Sequence, residues 1–161
     1  HVALKVAELL NERGVETELH VVGCRPFSRV PEFVKQYGFV SKKTHEGRRR
    51  LKELFEDCHF FIMPSIAECY GLVFAEASSF GLPSLATKVG GIPAVLKDDV
   101  NGKTFFLDDD PEEYCKYIEH FVKNRMDYME LAISCFEEYA AKLNWEVAGK
   151  KVYSLLSDII S

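Results

Sequence analysis

The most informative segment of the chain is Glu68-Cys69-Tyr70-Gly71-Leu72-Val73-Phe74-Ala75-Glu76, which carries two carboxylates with a glycine between them. An apolar run from His59 to Ser65 precedes it, and the shortness of this run and its Pro-Ser ending predict a fully buried parallel strand. A helix is predicted over residues 72–80, because Gly81 and Pro83 stop it. Open α/β sheets bind ligands beyond the carboxyl ends of their strands, so we expect the loop between strand and helix to lie in a ligand cleft.

The residues of this loop favour an anion and a diol as ligands. Backbone N–H groups at Gly71 and Leu72 would open the helix without partners of their own, and a helix start attracts phosphate. Glu68 precedes the helix and Glu76 lies about one turn inside it, so their side chains point to different places. A carboxylate accepts hydrogen bonds from a vicinal diol, so the combination suits a nucleotide sugar. The alternative is that both are ordinary solvated acids at a helix end.

Strand and helix signals alternate along the rest of the chain. Strands are predicted over residues 18–23, 59–63, 84–87 and 103–107, with an extended piece at 38–40. Helices are predicted over residues 2–13, 31–36, 47–57, 72–80, 92–97, 111–124, 126–142 and 145–160. The alternation predicts an α/β fold, a Rossmann-like parallel sheet sandwiched by helices.

Composition excludes several classes of protein. With 161 residues the natural expectation is one domain over residues 1–161, and 47% apolar residues are enough for its core. A net charge of −5 gives no reason to expect nucleic acid as a partner. Five cysteines without a C-x-x-C pair favour reduced thiols in a cytoplasmic protein. The histidines have no metal-ligand spacing, so no metal is expected.

Several motifs in a fixed order resemble the C-terminal, donor-binding domain of GT-B glycosyltransferases, and within them the retaining family GT4. These motifs are Glu-x7-Glu at Glu68 and Glu76, Gly81-Leu82-Pro83, Gly90-Gly91-Ile92-Pro93, Asn101-Gly102, Gly38-Phe39-Val40-Ser41 and Leu143-Asn144-Trp145-Glu146. The resemblance covers nearly the whole chain. In this family the preceding segment carries a first strand and basic residues for the diphosphate, and an N-terminal domain holds the acceptor. Because this chain contains neither, we expect a fragment that is inactive without its N-terminal domain.

The resemblance implies the transfer of a hexose from a nucleotide diphosphate donor, such as UDP- or GDP-hexose, to an unknown glycan or lipid, with retention of configuration and without a cofactor or metal. Glu68 is the candidate catalytic residue and would hold donor-sugar hydroxyls, while Glu76 would accept both ribose hydroxyls. The other candidate donor-binding residues are Cys69, Tyr70 and Gly71 at the sugar, Leu72 and Val73 at the diphosphate, Phe39, Val40 and Ser41 at the nucleobase, and Gly90 and Gly91 through their backbone. A GT-B nucleotide-sugar epimerase and a non-catalytic α/β interaction module are the alternatives.

Two features allow a second interpretation, and a third residue is given a structural role. Phe39 and Val40 could be core residues instead of a nucleobase rim. The basic run at Lys42, Lys43, Arg48-Arg49-Arg50 and Lys52 indicates a solvated helix start, or a peripheral contact with anionic lipid or with an acidic face of the N-terminal domain. Trp145, at the start of the last helix, is expected to be a packing anchor.

Overall fold

The computed structural model describes residues 2–26 and 28–160, so the two ends of the predicted 1–161 domain lie outside the described residues. The described residues form strands β1 (Leu19–Val22), β2 (Val34–Gly38), β3 (Phe61–Met63), β4 (Ser84–Thr87) and β5 (Gly102–Phe105). They form helices α1 (Val2–Glu12), α2 (His45–Asp57), α3 (Leu72–Ser79), α4 (Ile92–Val95), α5 (Pro111–Lys123), α6 (Arg125–Lys142) and α7 (Trp145–Ile160). All strand pairs are parallel, which confirms the predicted α/β class.

The strands form two sheets, one with the order β1-β2 and one with the order β3-β4-β5. The central strand β4 coincides with the predicted strand 84–87, and all its residues are buried. The strand predicted as fully buried, at 59–63, is shorter and only half-buried as β3. The reason is its place in the sheet, since β3 pairs with β4 alone and forms an edge. Being an edge strand, it is less enclosed than β4.

The helix predicted over residues 31–36 is wrong, because this segment contributes to β2. Val30, Phe33, Val34 and Tyr37, in and next to this segment, recur at the i, i+3, i+4, i+7 spacing of a helix. The segment from Val34 onward is nevertheless a strand, because it pairs with β1, beginning with Val34 opposite Leu19. A side-chain hydrogen bond also joins β1 and β2, since the hydroxyl of Tyr37 lies 2.8 Å from Nδ1 of His20. Tertiary pairing has therefore overridden a weak local preference.

The main core joins the first helix to strands β4 and β5 and to α5. Val6 and Leu10 of α1 pack with Leu85 of β4 and with Phe105 and Tyr114, whose rings stack at 3.7 Å between centroids. Burial of each large apolar side chain contributes about 1.5–3 kcal/mol. Helices α1 and α5, distant in sequence, are thereby fixed side by side on the three-stranded sheet.

A second core cluster fixes the helices that follow β3 and β4. It consists of Phe74, Ala75, Ala86, Ile92, Val95 and Leu96. Beside it, the fully buried amide of Asn101 donates to the carbonyl of Val95 at 2.9 Å and to the hydroxyl of Ser78 at 3.2 Å. Its carbonyl accepts from the backbone of Lys97 at 2.7 Å. One side chain therefore locks α3, α4 and the turn before β5 together, with its polar atoms satisfied.

Helix ends follow the local sequence closely. Asp110 caps α5 and accepts from the backbone of Glu112 at 2.9 Å, as its position before Pro111 predicts. The start of α7 differs from expectation, because Trp145 is 81% exposed and is not a packing anchor. The helix is instead capped by Asn144, whose side chain accepts from the backbone of Val147 at 2.9 Å.

The last helix presents apolar side chains to solvent. Exposed along α7 are Trp145, Val152, Tyr153, Leu155, Leu156 and Ile159. No helix in the part of the chain that the structure describes is both long and apolar enough to cross a membrane.

Replacing Asp98 with alanine should destabilise the turn that leads into β5. Its carboxylate accepts from the backbone and hydroxyl of Thr104 at 2.7 and 2.8 Å. Burial alone would raise the pKa of Asp98, but these hydrogen bonds and the neighbouring Lys103 outweigh burial and lower the pKa. We expect a loss of about 1–2 kcal/mol in the free energy of unfolding at neutral pH, measured by urea denaturation.

The pH dependence checks the same interaction. Because the folded-state pKa of Asp98 is lowered, its contribution is present above the unfolded pKa of about 3.9 and is lost as pH falls through the folded pKa. The difference between Asp98→Ala and the parent should therefore shrink below pH of about 4. The exposed carboxylate of Asp108 provides the control, and Asp108→Ala should leave stability within about 0.5 kcal/mol. An equal loss in both variants would contradict the assignment.

Candidate functional site

The candidate site begins in the loop between β3 and α3. Glu68 is half-buried there, and its Oε1 accepts from the backbone N–H of Cys69 at 2.9 Å. Cys69 and Tyr70 are exposed, so this part of the loop is open to a ligand. The carboxylate of Glu68 is thus held by its own loop, with further lone pairs left for other donors.

The glycine pair between β4 and α4 packs directly on this loop. The N–H of Gly91 donates to the carbonyl of Glu68 at 3.3 Å. A Cβ on Gly90 would lie 1.8 Å from that carbonyl oxygen, and a Cβ on Gly91 would lie 2.0 Å from the carbonyl oxygen of Cys69. Neither position can hold a side chain without moving the loop. The structure therefore brings together Glu68, Cys69, Gly90 and Gly91, all of them predicted site residues.

The start of α3 presents backbone N–H groups to its surroundings. Gly71 adopts a left-handed conformation at the N-cap, with φ of 78°, and makes no side-chain cap. A Cβ at Gly71 would meet the ring of Phe74 at 2.5 Å, so only glycine fits this turn. Leu72 is exposed and Val73 is half-buried in the first turn. The N–H groups of this turn suit an anion.

Glu76 makes its contact away from the Glu68 loop. Both of its carboxylate oxygens accept from Nζ of Lys42, which belongs to the turn before α2. The side chains remain accessible, with 59% of Lys42 and 40% of Glu76 exposed. The two glutamates thus have different partners, Glu68 within its own loop and Glu76 across to the neighbouring loop.

A cavity of about 260 Å³ lies in that neighbouring loop. It is lined by Phe39, Val40, Ser41, Thr44, Glu46, Gly47 and Arg50. Phe39 is 84% exposed, so the alternative that it is a core residue is wrong. Three predicted residues, Phe39, Val40 and Ser41, therefore share one concave surface, and the adjacent Lys42 links that surface to Glu76.

A second cavity, of about 300 Å³, lies at the carboxyl ends of β3, β4 and β5. It is mostly apolar and is lined by Val2, Pro64, Ile66, Thr87, Phe106, Leu107, Asp109 and Tyr114. None of the predicted site residues is among them. Burial raises the pKa of Tyr114, and a hydrogen bond with Thr87 opposes this rise in part. The residues come from five separate segments, so no single sequence motif could have identified this cavity.

Metal-ligating residues are dispersed. Across residues 2–26 and 28–160 no group of three or more His, Cys, Asp or Glu side chains is arranged to hold a metal ion. The sequence contains one Asp-x-Asp spacing, at Asp108 to Asp110. There Asp109 accepts from the backbone of Phe106 at 2.7 Å and Asp110 caps α5. These two carboxylates therefore serve local backbone structure.

The basic run of α2 is largely paired within the helix. Arg49 and Arg50 both lie 3.6 Å from Glu53, and Lys52 lies 3.5 Å from Glu56. This pairing favours the interpretation of a solvated helix. The peripheral membrane contact stays a prediction.

Sequence reasoning missed three residues of the site. Lys42 was assigned only to the basic run, although it is the partner of Glu76. Thr44 lines the first cavity and caps α2, accepting from the backbone of Gly47 at 3.1 Å. Arg50 also lines the cavity, with its guanidinium 4.8 Å from the ring centre of Tyr37. Thr44 carried a visible N-cap signal, whereas the contacts of Lys42 and Arg50 join separate segments.

Comparison with known proteins places the chain in a family. The family model described as glycosyl transferases group 1 matches residues 1–124. The chain therefore belongs to this family. It is similar to the D-inositol 3-phosphate glycosyltransferase of Corynebacterium diphtheriae, with 27% identity over 165 residues that cover 95% of this chain and 38% of that protein. The first curated relatives it matches are much longer, and the chain spans 20% to 38% of their lengths.

Solved structures agree with the fold. Sucrose-phosphate synthase from Thermosynechococcus elongatus superposes with a TM-score of 0.76 at 19% identity, covering 99% of this chain and 42% of that one. Anabaena HepE in complex with UDP superposes with a TM-score of 0.63 at 16% identity, covering 95% and 52%. Identities this low establish the fold alone. The α/β architecture is that of the C-terminal domain of GT-B glycosyltransferases.

Replacing Gly91 with alanine should disturb the contact between the two loops. Gly91 has φ of −87°, so the substitution introduces no backbone strain and tests only the space for the new Cβ. Because that Cβ would meet the Cys69 carbonyl, we expect a loss of about 1–3 kcal/mol in unfolding free energy. Amide exchange should increase in residues 68–71, measured by mass spectrometry.

Gly149 provides the matched control, because a Cβ there meets nothing within 4 Å. It lies within α7, where alanine is the better helix former. Gly149→Ala should therefore leave stability unchanged or raise it by up to about 1 kcal/mol. If Gly91→Ala is as stable as Gly149→Ala, the close approach of the loops does not exist as described.

Proposed function

We propose that the protein is a retaining glycosyltransferase of the GT4 type that transfers a hexose from a nucleotide diphosphate sugar, with this chain as its donor-binding domain. The observation that carries the proposal is the order of chemistry from the turn before α2, through α3, to the loop before α3. A cavity at Phe39–Ser41 leads through Lys42 to Glu76, and the start of α3 leads from there to Glu68. This order matches base, ribose, diphosphate and hexose. The fold neighbour HepE, whose structure contains UDP, supports a uridine nucleotide as the first candidate.

The nucleoside would occupy the part of the surface next to α2. The cavity of about 260 Å³ offers an aromatic rim at Phe39 and polar groups at Ser41 and Thr44. Glu76, beside it, has four lone-pair positions on its carboxylate and one cationic partner. It can therefore accept both ribose hydroxyls without giving up Lys42.

The diphosphate and hexose would lie at the loop before α3. Backbone N–H groups of Leu72 and Val73 would stabilise the negative charge that grows on the leaving diphosphate. Such preorganised donors stabilise a transition state more than a ground state. Glu68 would accept from hexose hydroxyls and fix the sugar against the Gly90-Gly91 backbone.

The remaining parts of the proposal concern the whole protein. An N-terminal domain would bring the acceptor, a glycan or a lipid, to the hexose. We propose that the reaction uses no resident metal or cofactor and takes place in the cytoplasm.

The direct test of the function is a thermal-shift panel of UDP, GDP and ADP sugars with the complete protein. Failure of all three to raise the melting temperature would contradict the proposal, and conversion of a donor without any acceptor would indicate an epimerase instead.

Replacing Glu76 with alanine should weaken nucleotide binding. Loss of the acceptor for two ribose hydroxyls is expected to cost about 1–3 kcal/mol, measured by calorimetry with the nucleotide that the panel identifies. Glu130 is a suitable control, because it is an exposed glutamate on α6. Glu130→Ala should bind like the parent. Unchanged nucleotide affinity in Glu76→Ala would remove the ribose assignment.

Replacing Glu68 with alanine should affect turnover more than nucleotide affinity. Its carboxylate would touch the hexose and not the nucleoside, so we expect kcat to fall about 10²-fold. The nucleotide Kd should change by less than about threefold, since no nucleoside contact is lost. Steady-state kinetics and calorimetry on the same preparation separate these effects. A variant that loses only UDP or GDP binding would contradict the assignment.

A further inference from the structure

A lysine outside the predicted site makes the closest contact of the Glu76 carboxylate. Nζ of Lys42 donates to both carboxylate oxygens, although the two residues are 34 positions apart in sequence. Contact with both oxygens restricts the rotation of the carboxylate about its last bond. The orientation of Glu76 is thus defined from outside its own helix.

The backbone around Lys42 is itself well anchored. The guanidinium of Arg48 donates to the carbonyl oxygens of Lys42 at 3.0 Å and Lys43 at 3.3 Å. Within the turn, the hydroxyl of Ser41 accepts from the backbone of Lys43 at 3.2 Å, and Thr44 donates to the carbonyl of Ser41 at 3.3 Å. The backbone of Lys42 is therefore held in place at the border of the cavity that Ser41 and Thr44 line.

We propose that Lys42 is a positioning residue that aims the Glu76 carboxylate at the ribose, and so couples the nucleobase cavity to ribose recognition. The inference rests on the proposed function. Ion pairs this exposed contribute little to folding, so the value of the contact lies in orientation. A preoriented carboxylate loses less rotational freedom when the diol binds, which raises affinity for nucleotides that have both hydroxyls.

The proposal is tested by how well the complete protein distinguishes ribose from deoxyribose. Calorimetry with UDP, 2′-deoxy-UDP, GDP and 2′-deoxy-GDP gives the ribo/deoxy affinity ratio for each base. Lys42→Met should lower this ratio about two- to fivefold, the size of an exposed ion-pair effect, with a smaller change in deoxynucleotide affinity. Lys42→Arg, which can still bridge both oxygens, should restore most of the ratio.

Further variants separate positioning from other roles. In the Glu76→Gln background Lys42→Met should have no additional effect on the ratio, as expected for a residue that acts through Glu76. Lys43→Met is the matched control, since the Lys43 ammonium makes no ion pair with any residue that the structure describes, and it should leave the ratio unchanged. Circular dichroism melts establish that each variant is folded.

Three outcomes would overturn the inference. An unchanged ratio in Lys42→Met means that Glu76 needs no positioning. An equal loss of affinity for ribo- and deoxynucleotides means that Lys42 contacts the ligand directly, at a phosphate. Both of these leave the proposed function intact. If the parent protein binds none of the four nucleotides and no ADP sugar raises its melting temperature, the proposed function fails, and the inference fails with it.

Discussion

The close contact between two loop backbones is the constraint on which the rest of the site depends. Glu68 and Cys69 present their carbonyl groups to Gly90 and Gly91, with no space for a side chain between them. This contact fixes the loop after β3 against the loop after β4. The carboxylate of Glu68 is thereby held in position relative to the start of α3. The buried amide of Asn101 supports the same arrangement, because it donates hydrogen bonds to both α3 and α4.

The two glutamates of the segment differ in what holds them. Glu68 is held by the backbone next to it and depends on the loop contact for its position. Glu76 lies on a helix and depends on a side chain from another segment. A substitution in the glycine loop should thus affect one carboxylate, and a change in the turn before α2 should affect the other. The separation means that the positions of the two carboxylates depend on different parts of the chain.

Much of the fold follows from local sequence. The limits of β4 and the capped start of α5 agree with prediction, because a short segment between the breakers Pro83 and Gly90-Gly91 and an Asp-Pro cap are strong local signals. The segment at 31–36 was predicted wrongly, since its apolar spacing fits a helix and only pairing with β1 makes it a strand. The burial of β3 was overestimated, because sequence does not reveal which strand lies at an edge.

The candidate site was predictable in its motifs and not in its contacts. Glu68, Gly71 and Glu76 could be recognised from spacing and turn chemistry. The pairing of Lys42 with Glu76 could not, since it joins a turn to a helix across another helix and a strand. The cavity beyond β3, β4 and β5 was missed for a similar reason, as its residues come from five segments. Long-range side-chain contacts leave no periodic trace in a sequence.

The exposed apolar residues of α7 have a consequence for handling the chain in isolation. Because Trp145, Leu156 and Ile159 are exposed to water, this helix favours adhesion between molecules of the chain in solution. Such adhesion is driven by hydration and not by charge, so sulfate should strengthen it and moderate sodium chloride should do little to disperse it. Preparations of the isolated 161-residue chain would then be best kept dilute and free of salting-out precipitants.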